Sequence, residues 1–384
     1  MHLLKKFCSL FNKITFKNPK KAKILIYDYA GSDVLIDTML QDLDYSIFPA
    51  RLELFYFSPQ ILFRMAKKII LFDFRCLNEI KGYIYKSYVL TCVEYINPKL
   101  VITWVDNDFT FQWLSKKYKN AEFYAIQNGV RIKSCLTAKD SKGILKKISM
   151  PHFICFGRNV VDNYRKFGHE INDPVCLGSL KAGYYQQVIK KIPAQKKFDI
   201  CLVPQGTLEA NVLLQEDWMK NDQIIFDLMA QYIKKHNKSL AIALRTSTTE
   251  EYDFFLKIFG ENATIVRQNE NDCYSTYRTM DSSEVIINNH STAGFEAFGW
   301  GKKVLFCNFC GDAIYEIFNK DLFSVKSLDY ILFEKELNEL LAMDQEKYQD
   351  LTKIQREYIM NYDPEFPVHI YMKTVIKNLI TDEN

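Results

Sequence analysis

The sequence predicts an α/β protein built from two Rossmann-type βαβ domains that face each other across a cleft. Short, almost continuously apolar runs alternate with helical patterns, which is typical of parallel strands covered on both faces. The pattern starts a second time after a polar, basic segment at 181–198 that contains Pro193. A chain of 384 residues is long enough for two such domains.

The first domain is expected over residues 22–180, and the segment 181–198 is expected to be the linker that follows it. Apolar and β-branched runs mark its strands, and longer amphipathic stretches mark its helices. The predicted strands are Lys23–Asp28, Lys68–Phe74, Leu100–Asp106, Glu122–Gln127 and His152–Gly157, and the predicted helices are Asn78–Tyr95 and Phe109–Lys119.

The second domain is expected over residues 199–345. Its predicted strands are Asp199–Val203, Leu240–Arg245, Ala263–Arg267, Glu284–Asn289 and Lys303–Phe306, and its predicted helices are Asp222–His236, Glu250–Phe259 and Thr292–Phe298. Residues 346–384 are predicted to be helical, with Pro364 and Pro367 as interruptions. We expect these last helices to pack back on the N-terminal domain.

The composition excludes several classes of protein. With 48% hydrophobic and 25% charged residues, the chain has the average of a globular protein. A net charge of +4 is too small for a dedicated nucleic-acid binder. The ten cysteines are scattered, mostly within apolar runs, which indicates reduced core thiols in a cytoplasmic protein. Cys307 and Cys310 form a close pair without a second pair, so no metal site is expected.

The basic character is concentrated in a leader at residues 1–21. Residues 1–23 hold seven lysines and no acidic residue. A helix over 2–16 would place Leu3, Phe7, Leu10 and Ile14 on one face, the pattern of a basic amphipathic helix on an anionic membrane surface. Packing of the same helix on the protein itself is the alternative. No stretch of apolar residues is long enough to span a bilayer.

The strongest candidate site follows the strand Glu284–Asn289. Ligands of open α/β sheets bind at the carboxyl ends of the strands, and here the next residues begin a short helix. Ser291 is a natural N-cap, and the positive end of that helix suits a phosphate group. Glu296 lies one turn further on, where its carboxylate can accept ribose hydroxyls. The predicted donor-binding residues of this segment are Asn289, Ser291, Thr292, Gly294 and Glu296, with His290 beside them.

Three more polar side chains are expected to face the donor. Gln205 follows the predicted strand Asp199–Val203, and Arg245 ends the predicted strand Leu240–Arg245, where a guanidinium can bind a diphosphate with two parallel hydrogen bonds. Lys181 follows the segment Leu177-Gly178-Ser179 at the end of another strand. An ordinary surface ion pair for Arg245, and plain helix capping around Ser179, are the alternatives.

The first domain offers candidates for catalysis and for acceptor binding. Asp106 and Asp108 follow the strand LVIT, where a general base would meet an acceptor hydroxyl, although a helix N-cap is an equally simple role. Candidate acceptor-binding residues occur after two other strands: Gly31 and Ser32 in a glycine turn, and Gln127, Asn128 and Arg131 around an Asn-Gly turn. The glycine turn lacks the full dinucleotide-binding fingerprint.

The order of these motifs resembles that of a bacterial family of surface carbohydrate biosynthesis proteins. ITWVDND, AIQNGVR, CFGRNVVDNY, LGSLK, IALR and NNHSTAGFEAFGWGKKVLF carry the resemblance over most of residues 22–310. The chain also resembles, more distantly, GT-B glycosyltransferases, including the Kdo transferases of capsule assembly. That resemblance implies a GT-B-like fold, with Glu296 on the ribose and Ser291-Thr292 on the phosphates. His290 departs from the Asp that many members carry before the Ser, and it is a candidate to contact a phosphate or the sugar.

The resulting hypothesis is a metal-independent glycosyltransferase that moves a sugar from a CMP- or UDP-linked donor to a glycan or lipid-linked acceptor. The catalytic candidates are Asp106, Asp108 and His290. No cofactor, metal or nucleic acid is expected, and the location is expected to be cytoplasmic or peripheral on the inner membrane face. Same-fold alternatives are a CDP-polyol phosphotransferase and a nucleotide-sugar epimerase. A non-catalytic carbohydrate-binding or assembly protein is the alternative from another class.

Overall fold

Two parallel β-sheets, each covered by helices, form the two lobes of the molecule. The computed structural model describes residues 13–51, 53–70, 80–131, 133–140, 142–205, 217–269, 272–309 and 323–381. The predicted α/β fold with two Rossmann-like lobes is confirmed. Below, the first lobe is the one built around the sheet of residues 24–176, and the second lobe the one built around the sheet of residues 198–325.

The sheet of the first lobe has six parallel strands in the order β3-β2-β5-β6-β7-β8. Its central strands are buried on both faces because their side chains are apolar at successive positions. The strands are β2 (Ile24–Tyr27), β3 (Tyr45–Phe48), β5 (Leu100–Thr103), β6 (Glu122–Ile126), β7 (Ser149–Cys155) and β8 (Glu170–Cys176), and a separate two-stranded sheet pairs β1 (Ile14–Thr15) with β4 (Phe55–Tyr56).

Helices cover both faces of this sheet. They are α1 (Ser32–Leu35, continued by a π-helical turn at Ile36–Leu40), α2 (Pro59–Ile70), α3 (Ile80–Ile96), α4 (Phe109–Lys117), α5 (Lys133–Leu136) and α6 (Arg158–Lys166). The backbone N–H of Ile61 donates to Ser58 Oγ at 3.2 Å, and Pro59 occupies the first helical position of α2, where its missing N–H costs nothing.

Two sequence predictions fail in this lobe. The strand predicted at Lys68–Phe74 is wrong for residues 68–70, which end helix α2, and 71–74 lie outside the described residues. Residues 68–70 form the last turn of a helix that packs against α3. The leader helix predicted over 2–16 is wrong at Ile14, which belongs to β1, and residues 2–12 lie outside the described residues.

The sheet of the second lobe also has six parallel strands, in the order β11-β10-β9-β12-β13-β14. The strands are β9 (Phe198–Val203), β10 (Leu240–Ala243), β11 (Ala263–Val266), β12 (Ser283–Asn288), β13 (Lys303–Cys307) and β14 (Ser324–Val325). β9 and β12 are neighbours at its centre, with Asn288 paired to Val203. The residues that follow these two strands therefore meet at one point of the sheet's carboxyl edge.

The helices of the second lobe begin within the segment predicted to be a linker. Leu180–Tyr184 forms α7, and a π-helical turn at Tyr185–Ile189 continues it. The others are α8 (Asp217–His236), α9 (Thr249–Phe259, followed by a 3₁₀ turn at Gly260–Asn262), α10 (Ser275–Asp281), α11 (Thr292–Gly299), α12 (Tyr330–Ala342) and α13 (Gln345–Ile359). The last helix, α14 (Val368–Thr381), belongs to the first lobe. The predicted linker segment thus carries Lys181 on a helix.

The chain returns to the first lobe after α13. Asn361 donates its backbone N–H to Phe156 O and its side-chain Nδ2 to Cys176 O, each at 2.8 Å. Helix α14 then buries Val368, Met372 and Ile376 in the apolar core on one face of the first sheet. Within the described residues, the structure contains no helix whose length and apolar content would let it cross a bilayer.

Candidate functional site

A cleft of about 240 Å³ opens where the carboxyl ends of the two sheets face each other. The first lobe contributes Trp104 after β5 and Asn128 after β6, and the remaining walls come from α7 and the second lobe. The lining residues include Lys181, Gln205, Arg245, Gln268, Cys273, Thr276, Tyr277, Ser291, Thr292, Ala293 and Glu296. Six of the predicted donor-binding residues are therefore brought together at one cleft.

The start of helix α11 forms one wall of the cleft. Ser291 is its N-cap, with extended backbone angles of φ −64° and ψ 128°, and the Ser291 side chain makes no capping hydrogen bond. The first backbone N–H groups of a helix have no acceptor within the helix, and they carry its positive dipole end. The wall therefore has the chemistry that binds a phosphate group.

Thr292 connects this wall to the first lobe. Its Oγ1 accepts a hydrogen bond from the backbone N–H of Val130 at 3.1 Å. A Cβ atom built on Gly129 would lie 3.3 Å from the same oxygen. The loop after β6 and the start of α11 are therefore in direct contact across the two lobes, and the Thr292 hydroxyl already has a protein partner.

Gly294 was predicted to bind the donor, but the structure gives it a packing role. A Cβ atom at this position would lie 2.1 Å from Cγ of Asn288, the last residue of β12. Only glycine lets α11 lie this close to the end of the strand. Gly294 is buried and does not line the cleft.

Glu296 lies at the floor of the cleft and is 5% exposed. Its Oε2 accepts a hydrogen bond from the Tyr277 hydroxyl at 2.7 Å, and its Oε1 accepts one from the Ser179 hydroxyl. Burial raises the pKa of the Glu296 carboxyl, while the two hydroxyl donors act in the opposite direction. The carboxylate is held rigidly, and each oxygen keeps a second lone pair for a ligand hydroxyl.

Two cationic side chains lie on the cleft wall around Glu296. Arg245 is exposed, and its Nη1 donates to the backbone oxygen of Gln205 at 2.8 Å. Lys181 lies over the rings of Tyr274 and Tyr277, with Nζ 5.8 and 5.5 Å from the centroids, and it donates to Cys273 O at 3.3 Å. Because the lining holds two cations and a single carboxylate, the cleft favours an anionic ligand.

Asn289 and His290 do not line the cleft, although both were predicted to act there. Asn289 is buried and donates its Nδ2 hydrogen to Asp222 Oδ1 at 2.6 Å. Burial raises the pKa of Asp222 to about 6. Burial also lowers the pKa of His290 to about 4, so its imidazole is neutral at pH 7. These three side chains support the start of α11 from within the second lobe.

Asp106 belongs to an ion pair of the first lobe. Its carboxylate is fully buried and accepts two hydrogen bonds from the Arg131 guanidinium, one of them from Nε at 3.2 Å. Arg131 Nη2 also donates to Asn128 Oδ1 at 2.8 Å. The pair fixes the loop after β6, and the Arg131 guanidinium occupies the carboxylate oxygens of Asp106.

Asp108 is the N-cap of helix α4, the alternative role that its sequence position offered. Its Oδ1 accepts the backbone N–H of Phe111 at 2.7 Å and the Tyr27 hydroxyl at 3.2 Å. Neither Asp106 nor Asp108 lines the cleft. Both carboxylates therefore have structural partners in place of an acceptor hydroxyl.

The predicted acceptor-binding residues occupy three different positions. Asn128 lines the cleft, while Arg131 and Gln127 line a smaller apolar cavity between the lobes. Gln127 is buried and holds its own turn, since its Nε2 donates to Gly129 O at 2.9 Å. Gly31 and Ser32 begin helix α1, and a Cβ atom on Gly31 would overlap the Trp104 ring. Gly31 therefore lies directly against Trp104 at the edge of the cleft, and neither Gly31 nor Ser32 lines the cleft itself.

Several lining residues escaped the sequence analysis. Trp104, Gln268, Thr276 and Tyr277 line the cleft, and Ser179 holds Glu296 from outside it. Only Trp104 had a usable signal, because it directly follows the strand LVIT. Tyr277 lies inside helix α10, where nothing in the local pattern distinguishes a functional tyrosine from a core tyrosine.

The family of the chain is shown by residues 124–376, which match the model of a family described as "putative O-antigen biosynthesis protein". The chain belongs to this O-antigen biosynthesis family. The match covers the return to the first lobe as well as the whole second lobe, so it includes every side chain of the α11 wall. No curated protein matches the sequence.

Solved structures show which fold this family member has. A "putative UDP-N-acetylglucosamine 2-epimerase" from Listeria monocytogenes is similar with a TM-score of 0.55 and 11% identity, over 95% of this chain and 98% of that chain. The wall teichoic acid polymerase TagF is similar with a TM-score of 0.52 and 13% identity, over 95% and 90%. TagF with CDPG gives a TM-score of 0.51 and 12% identity, over 99% and 92%. At such identities the likeness shows the fold alone, which is the GT-B arrangement of two Rossmann-like lobes.

No group of three or more His, Cys, Asp or Glu side chains within reach of one metal ion occurs in the described part of this family member. The groups that the cleft does offer are the helix start, Arg245, Lys181 and the buried carboxylate of Glu296.

Proposed function

We propose that this protein is a glycosyltransferase that transfers a sugar from a nucleotide-activated donor to a glycan or lipid-linked acceptor during surface polysaccharide assembly. One observation carries the proposal. The positive start of α11, two cationic side chains and a rigid carboxylate meet at the carboxyl edge of the second sheet, inside the cleft that separates the lobes. Membership of the O-antigen biosynthesis family supports the polysaccharide context.

The donor binds with its phosphates at Ser291 and with Arg245 and Lys181 beside them. Charge accumulates on the leaving phosphate as the glycosidic bond breaks, and donors fixed in advance stabilise that charge best. In this arrangement the helix start and the two side chains do so without a metal ion. Glu296 receives the ribose hydroxyls, and a CMP- or UDP-linked sugar is the proposed donor.

The acceptor approaches from the first lobe, past Trp104 and Asn128. Asp106 and Asp108 are not assigned as the base in this proposal, because neither lines the cleft, Arg131 binds the Asp106 carboxylate, and Asp108 Oδ1 caps α4. His290 has the neutral imidazole that a base needs, but it lies behind the cleft wall. A test of His290 must therefore distinguish a catalytic role as a base from a structural role in holding the start of α11.

Calorimetric titration with CMP, UDP, CDP and GDP tests the donor site directly. We expect one of the four to bind, and Arg245→Ala and Lys181→Ala each to weaken that binding at least tenfold, because a charge-assisted hydrogen bond contributes about 1.5–3 kcal/mol. Arg165→Ala is the matched control, since Arg165 is exposed on α6. Failure of all four nucleotides to bind, or equal effects of the three substitutions, would refute the proposal.

Product analysis then separates the reactions that share this fold. A glycosyltransferase releases nucleotide only when an acceptor is present, and we expect the rate to be unchanged by a chelator of divalent ions. Conversion of the donor sugar without acceptor would identify an epimerase, and release of CMP from a CDP-polyol would identify a phosphotransferase. Either result would replace the proposed reaction while leaving the donor site in place.

A further inference from the structure

Helix α2 carries an apolar strip on the side that faces away from the protein. The opposite side of α2 packs against the first lobe: Ile61 is buried, and Met65 contacts the core. Its outer side exposes Leu62, Phe63, Ala66 and Ile70, with Phe63 64% and Ile70 75% exposed. A surface helix normally has polar residues at these positions.

The two-stranded sheet β1–β4 lies beside the start of α2, where Asn18 contacts Ser58 and Gln60, and it adds two exposed phenylalanines to this part of the surface. Thr15 pairs with Tyr56, so Phe16 and Phe57 follow on neighbouring strands, and Phe57 leads through Ser58 into α2. Phe16 is 76% exposed, and Phe57 is exposed as well. We call Phe16, Phe57, Leu62, Phe63, Ala66 and Ile70 the outer apolar face. An exposed apolar patch of this kind marks an interaction site more often than chance.

The surroundings of the outer apolar face are strongly basic. The described segments 13–23 and 53–70 hold five lysines in the first, and Arg64, Lys67 and Lys68 in the second, against the single acid Glu53. Lys67 lies over the Phe63 ring at 4.6 Å. Lys20 and Lys68 pair with Asp44 and Glu94, and Lys23 Nζ donates to Ile380 O. Lys13, Lys17, Arg64 and Lys67 keep these two segments positive.

We propose that the outer apolar face docks on a lipid bilayer surface that carries anionic headgroups. Aromatic and aliphatic side chains flanked by Lys and Arg are the composition that binds at such an interface. Two copies of this face would repel each other because both are positive, so a symmetric dimer through it is disfavoured. The inference is independent of the nucleotide cleft, and it differs from the predicted leader helix because all its residues lie within 13–70.

Vesicle sedimentation with the full-length protein tests the proposal. We expect binding to phosphatidylcholine vesicles that contain phosphatidylglycerol, with weaker binding to phosphatidylcholine alone and a loss as salt is raised. Phe63→Ser with Ile70→Ser should lower the partition coefficient at least tenfold, since each removes a large apolar side chain from the interface. Arg64→Gln with Lys67→Gln should lower it about tenfold on anionic vesicles only.

Ile331→Ser with Ile354→Ser is the matched control, because Ile331 is 73% and Ile354 is 78% exposed on helices of the second half of the chain. Thermal unfolding of each variant confirms that it is folded. Equal partition of the Phe63/Ile70 variant and the control would overturn the proposal. So would a loss of binding confined to Lys5→Gln with Lys6→Gln in the leader, or a change of oligomeric state in place of vesicle binding. Nucleotide titration of the same variants should be unchanged, which separates this result from a failure of the proposed enzymatic function.

Discussion

Glu296 illustrates how a single buried group can serve both the fold and a ligand. Its two oxygens accept hydrogen bonds from Tyr277 and Ser179, so the carboxylate has no freedom to turn. The sequence position, one turn into the helix after β12, was enough to predict that Glu296 reaches the cleft. The two hydroxyl partners come from α10 and from the residue before α7, and no local pattern could connect such distant residues.

Substitution of Glu296 by Gln tests ribose recognition at the level of one atom. The amide keeps the shape but has one acceptor oxygen fewer, so we expect about tenfold weaker binding of the preferred ribonucleotide. The affinity for the matching 2′-deoxynucleotide should fall by a smaller factor, because this ligand lacks one of the two hydroxyls that Glu296 is proposed to bind. Calorimetry measures both ligands. Glu284→Gln, at the opposite end of β12, is the control, and an equal effect on the two ligands would contradict the ribose assignment.

Asp222 gives a prediction for the dependence of stability on pH. Burial raises the pKa of Asp222 from its ordinary value of 3.8 to about 6, so the folded state binds more protons than the unfolded state between these pH values. The free energy of unfolding therefore falls as the pH rises through this window. Asp222→Asn removes the ionisation and can still accept the hydrogen bond from Asn289.

We expect Asp222→Asn to be more stable than the wild type at pH 7 by on the order of 2 kcal/mol, with the difference vanishing near pH 4. Urea unfolding at several pH values measures it. A difference that is constant with pH would show that Asp222 is not the titrating group.

At the scale of elements, apolar patterning was sufficient for most strands and helices, but not for all. β5, β6 and β12 were predicted to within about three residues, because buried parallel strands are apolar at every position. The run at 68–74 has the same composition, and only the helix start at Ser58-Pro59 upstream indicates that residues 68–70 are helical. β3 and β8 are half-exposed edge strands with polar residues, and so the pattern is weak there.

The close packing of α11 against the end of β12 can be tested by adding a methyl group at Gly294. Gly294→Ala places a Cβ atom against the Asn288 side chain, and we expect it to destabilise the protein by about 1–3 kcal/mol through overpacking. Gly82→Ala is the control, since Gly82 lies in helix α3 with nothing within 4 Å of the new atom. That change should be neutral or stabilising by up to about 1 kcal/mol. Urea unfolding compares the two, and equal stabilities would contradict the packing role of Gly294.

At the scale of the whole molecule, the α/β prediction with two Rossmann-type lobes and the family resemblance are both confirmed. The roles assigned to individual site residues stay predictions until ligands are measured. Contacts between residues far apart in the chain could not be predicted from the sequence. The hydrogen bond between Thr292 and Val130, for example, joins residues that are 162 positions apart. A Cβ atom on Gly157, at the end of β7, would lie 2.4 Å from Tyr358 O, so the returning chain is wedged against the first sheet.

The packing of the returning chain at Gly157 and of helix α14 against the first sheet predicts that the two lobes unfold as one cooperative unit. Differential scanning calorimetry tests this. Met372 is fully buried in α14 against the first sheet, so Met372→Ala should cost about 2–5 kcal/mol. We expect one calorimetric peak that moves to lower temperature as a whole. Asn378→Ala, on the exposed side of the same helix, should leave the peak in place. Two separate peaks in either variant would show that the lobes unfold independently.

The chain leaves the first sheet at Cys176 and comes back at Asn361, whose side chain donates to Cys176 O. The two points at which the chain passes between the lobes are therefore next to each other. Two adjacent chain connections resist translation and separation of the lobes. They permit a hinge rotation about the line that joins the two connections. The width of the cleft then depends on one angle between the lobes, and a cross-link placed far from that line would fix this angle while leaving each lobe intact.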